Sequence, residues 1–180
     1  MNSARRFSSA VILVFTIGLL GPALHARQSA SHDALRALED DYWAFFQREN
    51  PEVATILGQY RYNDRLTDFS LAHVAVQEAE AAAFLKRASA IDPVALSDSE
   101  NLDRLVIIRT LQDQLEGIRL KTYEMPVDQF NGVQLLFPQL VSAVPLDTVK
   151  HYEDYIARLN QIPGRFDQII ECCGRARETV

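Results

Sequence analysis

Apolar residues recur every three to four positions through most of this chain, and this period restricts the chain to α-helix. The longest stripe consists of Leu102, Leu105, Ile108, Leu111, Leu115 and Ile118. Val106 and Ile107 widen the stripe, which predicts burial against two neighbouring helices. No segment alternates polar and apolar residues as a strand does, and no Asn-Gly pair indicates a hairpin. The pattern predicts an all-α fold.

Proline, glycine and capping residues divide the chain into roughly six or seven predicted helices. Asn50 and Pro51 open a short helix that Gly58 closes. Ser97 and Glu100 have the spacing of a capping box. No repeat of fixed period is present, so we expect an irregular antiparallel helical array rather than a solenoid. Further N-caps are predicted at Ser70 and at Asp147 or Thr148, and the best prediction for Met125 to Pro145 is one short, kinked helix.

Residues 1–26 have the layout of a secretory signal peptide. Arg5 and Arg6 form a positive n-region, an apolar run extends from Phe7 to Leu20, and a Gly-Pro pair then predicts a helix break. We expect cleavage after Ala26 and a periplasmic or secreted product without a stable membrane anchor. The alternative is an uncleaved anchor, because the apolar run is nearly long enough to span a bilayer.

The net charge limits the classes of partner expected for the mature chain, residues 27–180. The sequence has 18 Lys and Arg residues against 24 Asp and Glu residues, a formal net charge of −6. Binding to a phosphate backbone needs clustered cations, so nucleic acid is not an expected partner. The two cysteines, Cys172 and Cys173, are adjacent and cannot link distant parts of the chain.

The sequence holds no recognisable catalytic or metal-binding motif. A helical zinc site of the HExxH type needs two histidines at i and i+4, and no such pair occurs. His151 is followed by Glu153 and Asp154, and we interpret it as a solvated surface histidine. No Gly-x-Ser-x-Gly elbow or glycine-rich phosphate loop is present. We therefore predict no catalytic residue, no metal ligand and no cofactor in this chain.

One loop is a candidate binding surface, because loops dense in tyrosine and arginine often serve recognition. Its candidate residues are Tyr60, Arg61, Asp64 and Arg65. The alternative is structural: Arg and Asp side chains pair with each other and hold a helix junction together.

Four segments of the sequence resemble the bacterial domain-of-unknown-function family numbered 885. They are an N-P-x-x-A-T-x-L-G pattern at 50–58, a Tyr- and Arg-bearing stretch at 62–70, a Q-F-x-G element within 126–132, and a Y-x-x-Y-x-x-R-L helix at 152–159 that is followed by Ile162 and Pro163. The resemblance covers nearly the whole mature chain and keeps order and spacing.

The resemblance implies a function that depends on residues this sequence does not contain. Members of the family are longer and carry an H-E-x-x-P-G-H element, which groups them with helical zinc metallopeptidases, in which two His bind zinc and Glu activates water. This sequence has no such element. The resemblance therefore implies that this chain is the N-terminal part of a longer protein and that its partner is the C-terminal region of that protein. It implies that zinc and a peptide substrate are bound only by the full-length protein.

Two further expectations follow from the resemblance. We expect residues 172–180 to be an out-of-frame tail. A run of codons can be written that encodes the family's usual sequence in this region. When the same run is read one base later, it encodes Cys173 to Val180 followed by a stop codon. We also expect the chain to expose a large apolar patch where the remaining part would pack. The alternative function, from a different class, is a stand-alone periplasmic helical binding module.

Overall fold

The computed structural model describes the backbone of residues 7–130 and 132–178, and the side chains of residues 27–130 and 132–175. Within those ranges every regular element is helical and none is a strand, so the predicted all-α fold is confirmed. The α-helices are α1 (Phe7–Glu49), α2 (Pro51–Ile56), α3 (Leu71–Ala90), α4 (Asp98–Arg119), α5 (Val133–Gln139), α6 (Val149–Leu159) and α7 (Ile162–Glu178). Short 3-10 turns lie at Pro93–Ala95, Thr122–Glu124 and Leu140–Ser142.

Helix α1 is longer than the sequence predicts. It continues across the Gly-Pro pair at residues 21 and 22, where the sequence predicts a break, and it ends at Glu49. Residues 23–30 are mostly Ala, Arg, Gln and Leu, which favour helix. Helix α1 therefore continues through them to the residues that pack in the core. The signal peptide and its cleavage after Ala26 stay predictions, because the structure does not describe the side chains of residues 1–26. Within the described residues, no helix is both long and apolar enough to cross a bilayer.

The main hydrophobic core lies between α1, α3 and α4. Leu35 and Leu38 of α1 meet Leu111 of α4, and all three are buried. Ala81 and Ala88 lie on the facing side of α3 and are fully buried. Their small side chains permit a close approach between helices, which agrees with the Ala-rich pattern of α3.

A second, smaller core forms around α5 and α7. It contains Leu66 from the loop between α2 and α3, which packs with Val133 and Phe137 of α5 and with Ile169 of α7. Pro138 lies inside α5, and the helix passes into the 3-10 turn at Leu140–Ser142. The short, kinked helix predicted for this stretch is confirmed.

Most of the predicted helix caps are observed. The Oγ atom of Ser70 accepts a hydrogen bond from the backbone N–H of His73 at 3.3 Å, and Ser97 forms the complete capping box with Glu100. Asn50 is the exception, since its side chain donates to the carbonyl oxygen of Phe46 instead of capping α2. Thr148 caps α6, and Gly58 has the positive φ of 79° that favours glycine after a helix.

Helix α6 buries a charged residue and exposes several apolar ones. The sequence pattern predicts an inner side of this helix made of Tyr152, Tyr155, Ile156, Leu159 and Ile162. Tyr155 and Ile162 do pack against the second core. Tyr152, Ile156 and Leu159 are 52%, 55% and 41% exposed, so the prediction is wrong for these three. The buried side of the helix carries Arg158, which is 1% exposed. The physical reason is that the neighbouring loop offers backbone carbonyl groups, which an arginine can bind and an isoleucine cannot.

Candidate functional site

Arg158 lies at the centre of a buried polar network that joins α6 to α2 and to the following loop. Its Nε atom donates to the carbonyl oxygen of Arg65 at 2.7 Å. Its Nη2 atom donates to the carbonyl oxygen of Tyr62 at 2.9 Å and to Oγ1 of Thr55 at 3.0 Å. A longer contact of 3.4 Å reaches the carbonyl oxygen of Pro51. We call Arg158 and these four acceptors the Arg158 network.

Burial lowers the pKa of Arg158, and the nearby carboxylates of Glu52, Asp64 and Asp154 oppose that shift. A guanidinium keeps its charge in proteins, so the network holds a buried cation. The backbone carbonyl oxygens around it supply the negative ends of dipoles in place of a direct ion pair. Arg158 is therefore a structural cation that fixes the course of the loop.

Thr55 connects this cation to a buried amide. Its Oγ1 atom lies 2.7 Å from Oδ1 of Asn63 and 2.9 Å from the carbonyl oxygen of Pro51. Thr55 and Asn63 are both buried almost completely. The hydroxyl is therefore shared between helix α2, the loop and the guanidinium of Arg158.

The second half of the loop is held by side chains of the α6–α7 region. Gln161 donates to the carbonyl oxygen of Asp64 at 2.6 Å and accepts from the N–H of Leu66 at 3.3 Å. Gln168 accepts from the N–H of Phe69 at 3.0 Å. These contacts pair backbone groups that would otherwise lack partners in a loop without regular structure. The loop between α2 and α3 is therefore ordered by side chains nearly one hundred residues later in the chain.

The candidate residues of this loop separate into two pairs. Asp64 and Arg65 face a cleft, whereas Tyr60 and Arg61 do not line it. Arg61 and Arg65 lie over the ring of Tyr62, at 5.5 Å and 5.4 Å from its centroid. Tyr60 is 47% exposed and lies against the ring of His151 at 6.3 Å. His151 itself is half-buried and its Nδ1 atom is shielded from solvent, so its interpretation as a solvated surface histidine is wrong.

The structural alternative for this loop is only partly correct. Arg65 Nε lies 3.7 Å from Oδ1 of Asp64, which is a long contact between exposed neighbours. Such a pair contributes little stability. The junction is instead held by Arg158 and Gln161, which donate to the backbone carbonyl oxygens of the loop.

A polar cleft of about 500 Å³ opens between the end of α1, the loop, the start of α3 and α7. We call it the junction cleft. It is lined by Arg48, Glu49, Asp64, Arg65, Leu66, Asp68, His73, Gln161 and Arg165. Its volume is within the range of small-molecule sites, and its lining is far more polar than is usual for such sites.

Glu49 forms the best-connected carboxylate of the junction cleft. Its oxygens accept from His73 Nε2 at 2.6 Å, Gln77 Nε2 at 2.9 Å and Arg48 Nε at 3.0 Å. Burial raises the pKa of Glu49, but the hydrogen bonds from Gln77, Arg48 and His73 outweigh it and lower the pKa overall. Glu49 is therefore a buried, ionised group with its acceptor positions filled.

Arg165 approaches the cleft from α7 and has unused donor capacity. Its Nη1 atom lies 3.3 Å from Oδ1 of Asp68 and 3.0 Å from Oε1 of Gln168. Its Nε atom is buried and has no hydrogen-bond partner in the described part of the protein. Burial raises the pKa of Asp68, but the hydrogen bonds from Ser70 and the positive charge of Arg165 have the larger effect. The pKa of Asp68 is therefore lowered overall.

The junction cleft can hold charged groups, but its geometry is not that of a metal centre. Within residues 27–130 and 132–175, no three His, Cys, Asp or Glu side chains come together in a way that could hold a metal ion. The lining instead offers guanidinium donors beside carboxylates. The chemistry that this arrangement supports is recognition by ion pairs and hydrogen bonds.

The sequence interpretation missed Arg158, Gln161 and Arg165 as site residues. One feature of the sequence could have indicated the burial of Arg158. Arg158 lies three residues after Tyr155, so the two residues share the side of α6 that packs inward. Charged residues on an amphipathic helix are usually solvated, so this position was not separated from the outer face. Only the partner carbonyl groups, which belong to a distant loop, reveal its role.

Cys172, in the second half of α7, contacts the same loop. Cys172 is buried, and its Sγ atom donates to the carbonyl oxygen of Phe69 at 3.3 Å. Burial raises the pKa of this thiol, as do the nearby Glu171 and Cys173. Helix α7 continues to Glu178. The out-of-frame origin of residues 172–180 stays a prediction.

Together these features define an all-helical protein in which a late helix fixes an early loop and so forms a polar cleft. The family model described as "Bacterial protein of unknown function (DUF885)" matches residues 51–179. The chain therefore belongs to this family, as its resemblance implies. Comparisons with curated proteins and with solved structures give no match.

Three of the four segments that carry the family resemblance meet at the Arg158 network. Pro51 and Thr55 come from the first segment, Tyr62 and Arg65 from the second, and Arg158 from the helix segment. The shared pattern thus coincides with one set of hydrogen bonds. Within 126–132, Phe130 is exposed and lies outside the network, and Asn131 is outside the described residues.

Proposed function

We propose that this chain forms the N-terminal helical part of an exported, zinc-metallopeptidase-like protein and has no catalytic site of its own. In this role it supplies non-catalytic surface that packs beside the zinc-bearing part. Its partner is the C-terminal region of the same protein, and a peptide substrate belongs only to the full-length assembly. The signal-peptide layout of residues 1–26 supports export.

The single observation that carries the proposal is the exposed apolar face of α6. Val149, Tyr152, Ile156 and Leu159 recur at helical spacing, and each is at least 41% exposed. Apolar stripes at this spacing are buried in a complete domain, because burial contributes about 25 cal/mol per Å².

Two other helices have exposed apolar residues of the same kind. On α4, Leu102, Leu105 and Val106 are exposed, although the sequence pattern assigns them to a buried stripe. On α7, Ile170 is 67% exposed and borders an apolar groove with Phe166. A chain with several unpaired apolar faces is consistent with one part of a larger helical structure.

Two experiments test the proposal. The first reads the gene beyond the codon for Val180 in all three frames, where an H-E-x-x-P-G-H element is expected. The second expresses residues 27–180 and measures hydrophobic-dye binding and association state. Strong dye binding and concentration-dependent association are expected. Absence of the element in every frame would contradict the proposal.

A second candidate function is a stand-alone exported helical binding module. The observation that favours it is the ordered loop, in which Arg61 and Arg65 both lie over the ring of Tyr62. A soluble monomer of residues 27–180 with a cooperative melt and little dye binding would favour this alternative over the first.

A further inference from the structure

The junction cleft has guanidinium donors that its own carboxylates do not use. Arg48 is occupied by Glu49 and by Glu80, at 3.0 Å and 2.5 Å. Arg65, by contrast, is 58% exposed; its guanidinium lies over the Tyr62 ring and is 3.7 Å from Asp64, a distance too long for a hydrogen bond. The buried Nε atom of Arg165 has no partner among the described residues. Two of the three arginines of the cleft therefore retain free N–H groups.

Two of the three carboxylates of the cleft, Glu49 and Asp68, are occupied by partners within the chain. Glu49 accepts three side-chain hydrogen bonds. Asp68 accepts from the N–H of Ser70 at 2.9 Å and also contacts Arg165. Among the described residues, Asp64, the third carboxylate of the cleft, has only the long contact with Arg65. Because a guanidinium has more N–H groups than a carboxylate has acceptor positions, donors remain unused after Asp64 is counted, and a ligand that supplies acceptor oxygens would complete the site.

We propose that the junction cleft binds a ligand with a terminal carboxylate, which the guanidinium groups of Arg65 and Arg165 hold through charge-assisted hydrogen bonds. A planar guanidinium matches a carboxylate in a two-point geometry. The formal charges of the lining favour this ligand over a phosphate dianion. Arg48, Arg65 and Arg165 balance Glu49, Asp64 and Asp68, so the lining is formally neutral. Each negative charge of a ligand adds to this neutral lining, and a carboxylate adds fewer such charges than a phosphate dianion.

The volume of the cleft, about 500 Å³, limits the size of the ligand. A blocked dipeptide or a similar small organic acid fits within it. The proposal is independent of where the zinc-bearing part of the assembly lies, because all the contacts come from residues of this chain.

The test uses purified residues 27–180 and two probes, N-acetyl-dialanine and the same peptide with an amidated C-terminus. Isothermal titration calorimetry is expected to show saturable binding of the acid in the millimolar range or tighter, and no binding of the amide. Weaker binding of the acid at high salt is also expected, because an exposed ion pair is screened.

Arg65→Ala and Arg61→Ala form a matched pair of variants. Both side chains lie over the Tyr62 ring at nearly equal distances, but only Arg65 lines the cleft. Arg65→Ala retains the backbone carbonyl group that Arg158 binds, so the loop is expected to stay folded. We expect Arg65→Ala to weaken binding about tenfold or more, and Arg61→Ala to leave it within about twofold.

Three results would overturn the proposal: no saturable binding of the acid, equal binding of acid and amide, or equal losses in the two variants. Circular dichroism and thermal melts of both variants check that the fold is retained. If Arg65→Ala lowers the melting temperature sharply, Arg165→Gln provides the second measurement and must then weaken binding of the acid. The gene reading that tests the proposed function does not affect this outcome, so the two can fail separately.

Discussion

The Nη2 atom of Arg158 lies 3.0 Å from the Oγ1 atom of Thr55, and this contact joins helix α6 to helix α2 across more than one hundred residues of sequence. The same guanidinium fixes the loop that carries Tyr62 and Arg65. The position of the junction cleft therefore depends on this buried cation.

Arg158→Met is expected to destabilise the protein by about 3 kcal/mol or more, because it leaves buried carbonyl groups without a donor. The measurement is the free energy of unfolding from urea titration. Arg109→Met serves as the control, since Arg109 is 75% exposed and pairs only with Asp113 one turn away. Its effect should be below about 0.5 kcal/mol. Equal effects of the two changes would contradict the importance of the Arg158 network.

Thr55→Val keeps the shape of the side chain and removes the hydroxyl that Arg158 and Asn63 share. We expect a loss of about 1–2 kcal/mol in unfolding free energy, because two buried polar groups lose a partner. The coupling between Thr55→Val and Arg158→Met should be measurable in a double-mutant cycle. Strictly additive effects would show that the hydroxyl and the guanidinium act separately.

Neighbouring residues on α6 should respond in opposite ways to substitution. Ile156 is 55% exposed, so Ile156→Lys is expected to change stability by less than about 0.5 kcal/mol while reducing hydrophobic-dye binding. Tyr155 packs against the second core, so Tyr155→Ala should cost about 2–4 kcal/mol. Glu153→Gln, which changes the net charge by the same amount as Ile156→Lys, is the control for dye binding. A large loss of stability in Ile156→Lys would mean that α6 packs the other way round.

Stability should fall in acid because several carboxylates have lowered pKa values in the folded chain. Hydrogen bonds from Ser97, then from His32, lower the pKa of Glu100 from 4.5 to about 2. The pKa values of Glu49 and Asp68 are also lowered. A lowered folded pKa stabilises the protein fully above the unfolded value, and this contribution is lost as the pH falls through the folded value.

The measurement is the unfolding free energy from about pH 6 down to about pH 3, where a progressive decrease is expected. The unfolding free energy of the Glu49→Gln variant should decrease less steeply, because this variant lacks one of the carboxylates whose pKa is lowered in the folded chain. A pH profile identical to that of the unsubstituted chain would contradict the pKa assignment for Glu49. Replacing Glu171, for which no such network exists in the described residues, provides the control.

The sequence was sufficient for the helices and their boundaries wherever the local signal was strong. Ser97 with Glu100, Ser70 and Gly58 each fix a helix end through contacts within a few residues, and local chemistry of this kind can be predicted. The short helix around Pro138 was also predictable, because proline and apolar residues limit what that segment can form. These features depend on neighbours in sequence.

The orientation of α6 was not predictable for the opposite reason. Its apolar residues Tyr152 and Ile156 indicate an inward face under the usual rule, yet Arg158 is the residue that is buried. The rule failed because the partners of Arg158 are backbone carbonyl groups of a loop far away in sequence. The junction cleft was partly predictable, since Asp64 and Arg65 were candidates, but Arg165 and His73 enter it only through the tertiary fold.

The most direct test of the account is the metal content and peptidase activity of purified residues 27–180. The protein is incubated with zinc, dialysed, and analysed by mass spectrometry, while a panel of short peptides is assayed for hydrolysis. We predict far less than one zinc ion per chain and no hydrolysis above the buffer rate. One tightly held zinc ion per chain together with peptide hydrolysis would contradict the central claim that the chemistry lies outside this chain.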